Sequence, residues 1–310
     1  MSQEAAPTKD LVRGYTLLAH CVYMDFLENI SLKEYTTFKI GGPAKYFYVA
    51  KNKEDLMEAI KKAQESKLPV FVLGGGSNVL ALDEGFNGLV IKIENCKLKI
   101  ENCEAEIGAG TALAKIVNEA KEASLSGLEW AVGLPGTIGG AIYGNAHAFT
   151  AGISDNIKEV EALDIDSMEI KTFIKEECQF SEKQSIFKNN KNLIIISAVL
   201  KLEKGDKNQI ENKIKDNLKH RLERQPLDYP SAGSVFINPS NGESASSLID
   251  KAGLKGTRVG DAQVSEKHAG FIINLGRATS QNVLDLIEII KREVKSRYNI
   301  DLEPEIQIIK

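Results

Sequence analysis

The chain has 310 residues, 43% of them apolar and 26% charged, and a formal net charge of −4 with no basic block. That length and composition fit a globular protein of two or three subdomains, and the charge argues against non-specific binding to nucleic acid, which relies on neutralising phosphates. Four cysteines without a CxxC pair and four histidines without HxxxH or HExxH spacing give neither a disulfide framework nor a metal-ligand set, so a reducing cytoplasm and no metal are expected.

No apolar run reaches the length of a membrane span. The N-terminal "MSQEAAPTKDLVRGYTLLAHCVYMDFLENI" has a short apolar patch from Leu17 to Tyr23 with no small-residue cleavage site after it, which reads as a docking helix rather than a signal peptide. "SLKEYTTFKIGGPAKYFYVA" reads as extended structure broken at Gly-Gly-Pro. "KEDLMEAIKKAQES" has Leu56, Met57, Ile60 and Ala63 at helical spacing.

"LPVFVLGGGSNVL" follows as a buried strand running into a glycine turn, and "GLVIKI" and "AEIGAG" are further strands. "TALAKIVNEAKEASLSG" reads as a helix with Thr111 as N-cap and Gly127 beyond its end. A second glycine cluster, "VGLPGTIGGAIYGNA", lies about sixty residues after the first. Residues 158–202 are rich in strand-forming runs.

"NQIENKIKDNLKHRLERQP" is a charged helix stopped by Pro226. "DYPSAGSVFINP" is a turn, strand and turn, "SASSLIDKAG" a short helix and "HAGFIINLG" a strand. In "SQNVLDLIEIIKREVKSRYN", Val283, Leu286, Ile287, Ile290 and Val294 share one face of an amphipathic helix. "LEPEIQII" reads as a closing strand. The class is mixed α and β, with a boundary near 203–209 and a βαβ-like unit after it.

The glycine clusters admit two readings, tight turns or backbone that approaches an anion. Neither the dinucleotide fingerprint GxGxxG nor the P-loop is present, so a Rossmann domain and an NTPase are not supported. Two clusters in one chain favour opposed loops around a pyrophosphate, with Thr137 and Asn145 as added donors.

"YTTFKIGGPAKYF", "VLGGGSNVL", "GLEWAVGLPGTIGGAIYGNA", "SAGSVFINP", "AGLKGTRVGDAQVSEKHAGFIINLG" and "LEPEIQII" together resemble the UDP-N-acetylenolpyruvoylglucosamine reductases, in the same order, from about residue 30 to 310. The compact spacing resembles the shorter, type II branch. The resemblance implies an α+β fold. After an N-terminal extension, 1–29, it implies two subdomains, 30–90 and 91–205, forming an FAD-binding unit of the vanillyl-alcohol-oxidase type. A C-terminal α/β substrate-binding domain, 206–310, completes it.

It further implies an NADPH-dependent flavin oxidoreductase. Such an enzyme would reduce UDP-N-acetylglucosamine enolpyruvate to UDP-N-acetylmuramate for peptidoglycan synthesis, as a cytoplasmic monomer whose partner is the UDP-sugar. By motif, Gly74, Gly75, Gly76, Ser77 and Asn78 would bind the FAD pyrophosphate. Thr37, Ile40, Gly41 and Gly42 would line the cofactor, and Gly133, Pro135, Gly136, Thr137, Gly139, Gly140 and Asn145 would form the opposite wall. Ser234 would protonate the enol intermediate, Glu305 would polarise it and Asn238 would contact substrate.

Three positions depart from the family pattern. Where a GYRxSxF pattern carries Gly-Tyr-Arg, this chain has Ser181, Glu182 and Lys183, and only Ser185 and Phe187 keep the frame. Lys183 keeps the charge of the arginine that stabilises the enolate but not its planar fork. "NAHAFTA" puts His147 where the family has glycine, either as a new polar group near the flavin or as a side chain tolerated at a loop edge. Ile237 stands where the family has lysine. These changes leave open a flavoprotein with a changed substrate, or a flavin-binding module without catalysis.

Overall fold

The computed structural model of the protein describes residues 26–240 and 242–310. The short helix read around Leu17 to Tyr23 lies outside them, as does Cys21.

Three sheets carry the fold. The first has the order Leu27–Ser31, Pro43–Ala50, Phe86–Ile93, Val70–Leu73. Its last three strands are parallel, which requires a crossover, and the helix Lys53–Glu65 supplies one. Asn52 caps that helix by accepting the Asp55 N–H at 2.8 Å, and Leu56, Ala59, Ile60 and Ala63 face the sheet. Phe86–Ile93 is buried nearly end to end, as a central parallel strand covered on both faces should be. The segment read as extended from residue 31 instead contains a 3-10 turn at Leu32–Tyr35, so strand structure resumes only at Pro43.

The second sheet is antiparallel throughout, in the order Glu169–Ile174, Ile157–Asp164, Leu193–Lys201, Glu104–Gly108, Leu98–Glu101. The helix Leu113–Glu122 packs through Leu113, Ile116, Val117 and Ala120. Its start differs from the expected one. Ala112 occupies the cap position without a side-chain bond, and Thr111 is instead fully buried, donating to the Lys97 carbonyl at 3.3 Å. Leu89 and Ile91 of the first sheet and Ile107 and Ile195 of the second belong to one continuous core.

The third sheet runs Ser231–Ser234, Phe271–Asn274, Ala262–Val264, Arg258–Val259, again antiparallel throughout. The helices Ala245–Lys251 and Ser280–Tyr298 flank it, and Val283, Leu286, Ile287, Ile290 and Val294 are all buried. The expected βαβ-like unit is not formed. Gly260, with φ +54°, turns the chain directly between adjacent strands and makes their pairing local and antiparallel. The closing strand Gln307–Ile309 leaves this sheet and pairs in parallel with Val79–Ala81, directly after the first glycine turn.

Leu80 of that short strand is fully buried in the C-terminal core, together with Phe38 and Ile40. Replacing Leu80 by Ala should cost about 2–5 kcal/mol in urea unfolding, whereas Leu27→Ala at a half-exposed position should cost about 0.5 kcal/mol or less. Cys178 is fully buried, and burial, aided by Glu177 and Glu176, pushes its thiol up to about 12. Native protein treated with iodoacetamide at pH 8 should therefore be labelled at the exposed Cys96 and remain unlabelled at Cys178, as peptide mass mapping would read.

Candidate active site

The two glycine clusters meet. Val70–Leu73 ends at Gly74, and a Cβ on Gly74 would sit 2.7 Å from Thr137 Oγ1. A Cβ on Gly75 would lie 2.5 Å from Gly136 Cα, and one on Gly136 would lie 2.7 Å from Ser77 Oγ. Gly76 has φ +66° and backs onto the Tyr35 carbonyl. Glycine is thus required by close approach of the clusters as well as by turning. Ser77 Oγ donates across the seam to the Pro135 carbonyl at 3.1 Å. Among the described residues, the N–H groups of Gly75, Gly76 and Ser77 donate to nothing. Small side chains and unspent N–H groups along one seam are the chemistry a pyrophosphate requires.

The second cluster differs from a loop. Ile138–Tyr143 is a short helix containing Gly139 and Gly140, and Thr137 caps it, its Oγ1 accepting the Gly140 N–H at 3.5 Å. Gly133, with φ +71°, packs beside Arg221. Thr37 joins the first cluster to the third sheet, its N–H donating to the Gly76 carbonyl at 3.0 Å and its hydroxyl to the Ser231 carbonyl at 2.7 Å. Gly41 abuts Ala81, Gly42 abuts the Asp83 carbonyl, and Ile40 is buried in the C-terminal core.

Ser234 and Glu305 lie side by side on the backbone. The Glu305 N–H donates to the Val235 carbonyl at 2.7 Å, and the Asn78 side chain donates to the Glu305 carbonyl at 3.4 Å. The glycine turn is therefore bonded directly to the segment carrying Glu305. The Ser234 residue is exposed, and its hydroxyl makes no hydrogen bond among the described residues. Lys183 Nζ stands 3.3 Å from Glu305 Oε1, with the two side chains 18% and 14% exposed.

Lys183 sits in a tight turn. Ser181 and Gln184 exchange two backbone hydrogen bonds at 3.2 Å, and Lys183 adopts φ +54°. The frame behind it is rigid. Ser185 donates to the Tyr143 carbonyl at 2.8 Å and caps Ile186–Asn189, while Phe187 is fully buried edge-on against Phe173. Lys188 Nζ donates to the Lys183 carbonyl at 2.8 Å. Burial pushes Lys188 below the usual lysine range, Glu305 opposes that and Lys183 adds to it. One carboxylate thus lies among two ammonium groups.

Two of the departures from the family pattern touch each other. His147 Nε2 lies 3.7 Å from Glu182 Oε1, while its Nδ1 is 3.2 Å from the Asn145 carbonyl. Asn145, 9% exposed, donates from Nδ2 to the Ser181 carbonyl at 2.8 Å, and its Oδ1 is buried without a partner among the described residues. A cleft of about 570 Å³ opens beside the turn, lined by Glu182, Gln184, Ile237, Asn238, Ser244 and Glu303. Asn238 Oδ1 accepts the Ala245 N–H at 3.1 Å.

Sequence reading did not single out Lys188, Arg221 or Lys92. Arg221 is 3% exposed, donates to the Trp130 carbonyl at 3.1 Å and stacks 5.4 Å from the Phe149 ring centroid. Lys92 donates to the Gly74 carbonyl at 2.5 Å. The available signal for Lys92 was a lysine inside the otherwise apolar strand "GLVIKI".

Comparison with known proteins identifies the family. Residues 44–172 match the family model described as FAD binding domain, and residues 225–309 match that of the UDP-N-acetylenolpyruvoylglucosamine reductase C-terminal domain. The UDP-N-acetylenolpyruvoylglucosamine reductase of Clostridium novyi is 42% identical over 282 residues, 91% of either chain. That of Caldicellulosiruptor bescii is 43% identical over 291 residues, 92% of this chain and 91% of its own. The crystal structure of the Thermus caldophilus enzyme superposes with a TM-score of 0.78 at 34% identity, covering 93% of this chain and all of that one. With relatives matched along nine-tenths of both partners and family models at both ends, the chain belongs to the UDP-N-acetylenolpyruvoylglucosamine reductase family.

Proposed function

We propose that this chain reduces the enolpyruvyl double bond of UDP-N-acetylenolpyruvoylglucosamine to give UDP-N-acetylmuramate in peptidoglycan precursor synthesis, with FAD as bound cofactor and NADPH as hydride source. The observation that carries this reading is the ion pair of Lys183 and Glu305 beside a glycine turn to which the Glu305 segment is hydrogen-bonded, with that segment also bonded to Val235, the neighbour of Ser234. Bound FAD supplies the hydride chemistry. The residues that would hold its pyrophosphate are Gly74 to Asn78 on one side of the seam and Gly133, Pro135, Gly136, Thr137, Gly139 and Gly140 on the other, with Thr37, Gly41 and Gly42 flanking them. Asn145 stands with this wall, its Nδ2 donating to the Ser181 carbonyl.

The remaining work falls to this chain's own side chains. Adding hydride beside a carboxylate builds negative charge on the substrate, and the Lys183 ammonium stabilises that charge in a site of low exposure. Glu305 holds the lysine in place and polarises the developing enolate. The free Ser234 hydroxyl delivers the proton that completes the lactyl ether. Asn238, on the cleft wall, binds the UDP-sugar. Residues 30–205 form the cofactor unit and 206–310 the substrate domain. The protein is read as a cytoplasmic monomer, and no helix among the described residues is long and apolar enough to cross a membrane.

A second reading, reduction of a different acceptor by the same cofactor unit, is favoured by one observation. Glu182 and Ile237 line the cleft together with Glu303, putting carboxylates where an anionic sugar nucleotide would enter.

Anaerobic titration separates the two. The pure protein should show a flavin spectrum, be bleached by NADPH, and regain colour when the enolpyruvyl UDP-sugar is added. Recovery with another acceptor but not this one would favour the second reading, and a protein that cannot be loaded with FAD would sink both. Lys183→Ala should lower turnover about 100- to 1,000-fold while leaving FAD binding unchanged, and Lys183→Arg should retain most activity.

A further inference from the structure

Lys92 lies at the end of the central strand Phe86–Ile93, between its register partners Val49 and Leu73. Its ammonium donates to the Gly74 carbonyl, the last one before the glycine turn. No carboxylate among the described residues lies within ion-pair distance of it. Burial pushes the group below the usual lysine range, against the pull of Glu94 and Cys96, so folding leaves its charge with incomplete compensation.

Peptide geometry turns this contact into a directional device. A trans peptide is planar, with its C=O and N–H pointing opposite ways. The ammonium that holds the Gly74 carbonyl therefore commits the Gly75 N–H to the other side of the same plane. That N–H is the first of the run that donates to nothing among the described residues. A charged donor on the carbonyl also polarises the peptide and strengthens its N–H as a donor. Gly74 and Gly75 have no side chains to fix this orientation, and glycine backbones rotate freely, so an outside contact is needed.

We propose that Lys92 is a positioning residue for the anion at the glycine seam: by holding the Gly74 carbonyl it aims the Gly75 N–H at the bound pyrophosphate. The proposal rests on the reading that FAD binds there. Nothing in it requires Lys92 to touch the cofactor. An ammonium that burial leaves partly desolvated should instead contribute most when an anion is bound beyond the peptide it holds.

The test is titration of FAD into flavin-free protein, for the wild type, Lys92→Met and Lys92→Arg, with the melting temperature of each flavin-free protein measured alongside. Methionine keeps the stem and removes the charge. Lys92→Met should weaken FAD binding about tenfold or more, a loss in the range expected for one charge-assisted hydrogen bond. Its flavin-free melting temperature should not fall, and Lys92→Arg should stay within about threefold of wild type. The proposal is overturned if Lys92→Met binds FAD within twofold of wild type. It is equally overturned if lost affinity comes with a lowered melting temperature and is not restored by arginine. Wild-type protein that takes up no FAD would instead remove the functional reading before Lys92 is tested.

Discussion

The parallel pairing of Gln307–Ile309 with Val79–Ala81 is the contact on which the site depends. It joins the end of the chain to the strand directly after the first glycine turn. Through it, the Asn78 side chain reaches the Glu305 carbonyl and the Gln307 N–H reaches the Asn78 carbonyl at 3.0 Å. Leu80 seals the same seam from below in the C-terminal core. The first glycine turn and Glu305, more than two hundred residues apart in the chain, are thus joined by hydrogen bonds.

Electrostatics at this junction are arranged around the same carboxylate. Glu305 faces Lys183 directly and lies within the field of Lys188, which in turn holds the Lys183 carbonyl. Two ammonium groups against one carboxylate leave a surplus positive charge, suited to a substrate that carries a carboxylate of its own. The low exposure of the pair strengthens that field and also makes it costly to leave unpaired. Lysine delivers the charge as a point rather than as a fork, so its placement must come from the turn that holds it. The strained backbone of Lys183, the Ser185 cap and the buried Phe187 provide that placement.

The departures from the family pattern take on a different meaning in three dimensions. Glu182 is a charge of the wrong sign for an anionic ligand when considered alone. In the fold its carboxylate approaches His147, another departure, while Asn145 secures the same turn through Ser181. Ile237 stands on the cleft wall where the family resemblance has a lysine, and no lysine or arginine is among the described residues that line it.

Local chemistry was legible in the residues themselves. Glycine runs announce positive φ and close approach, apolar residues three and four apart announce the helices Lys53–Glu65 and Ser280–Tyr298, and the motifs carry the family resemblance. Each of these depends on residues near one another in the chain. The misread Thr111 cap and the absent βαβ-like unit failed for the opposite reason. Burial against Lys97 and a turn at Gly260 overrode local preference. Only the tertiary structure brought Gly75 against Gly136, Glu305 to Lys183, Glu182 to His147 and Lys92 to the Gly74 carbonyl. The first three of these contacts span longer stretches of chain and are decided by how the sheets and their loops pack, the last by the register of two neighbouring parallel strands, so the sequence determined which groups the site contains and the tertiary structure decided which of them meet.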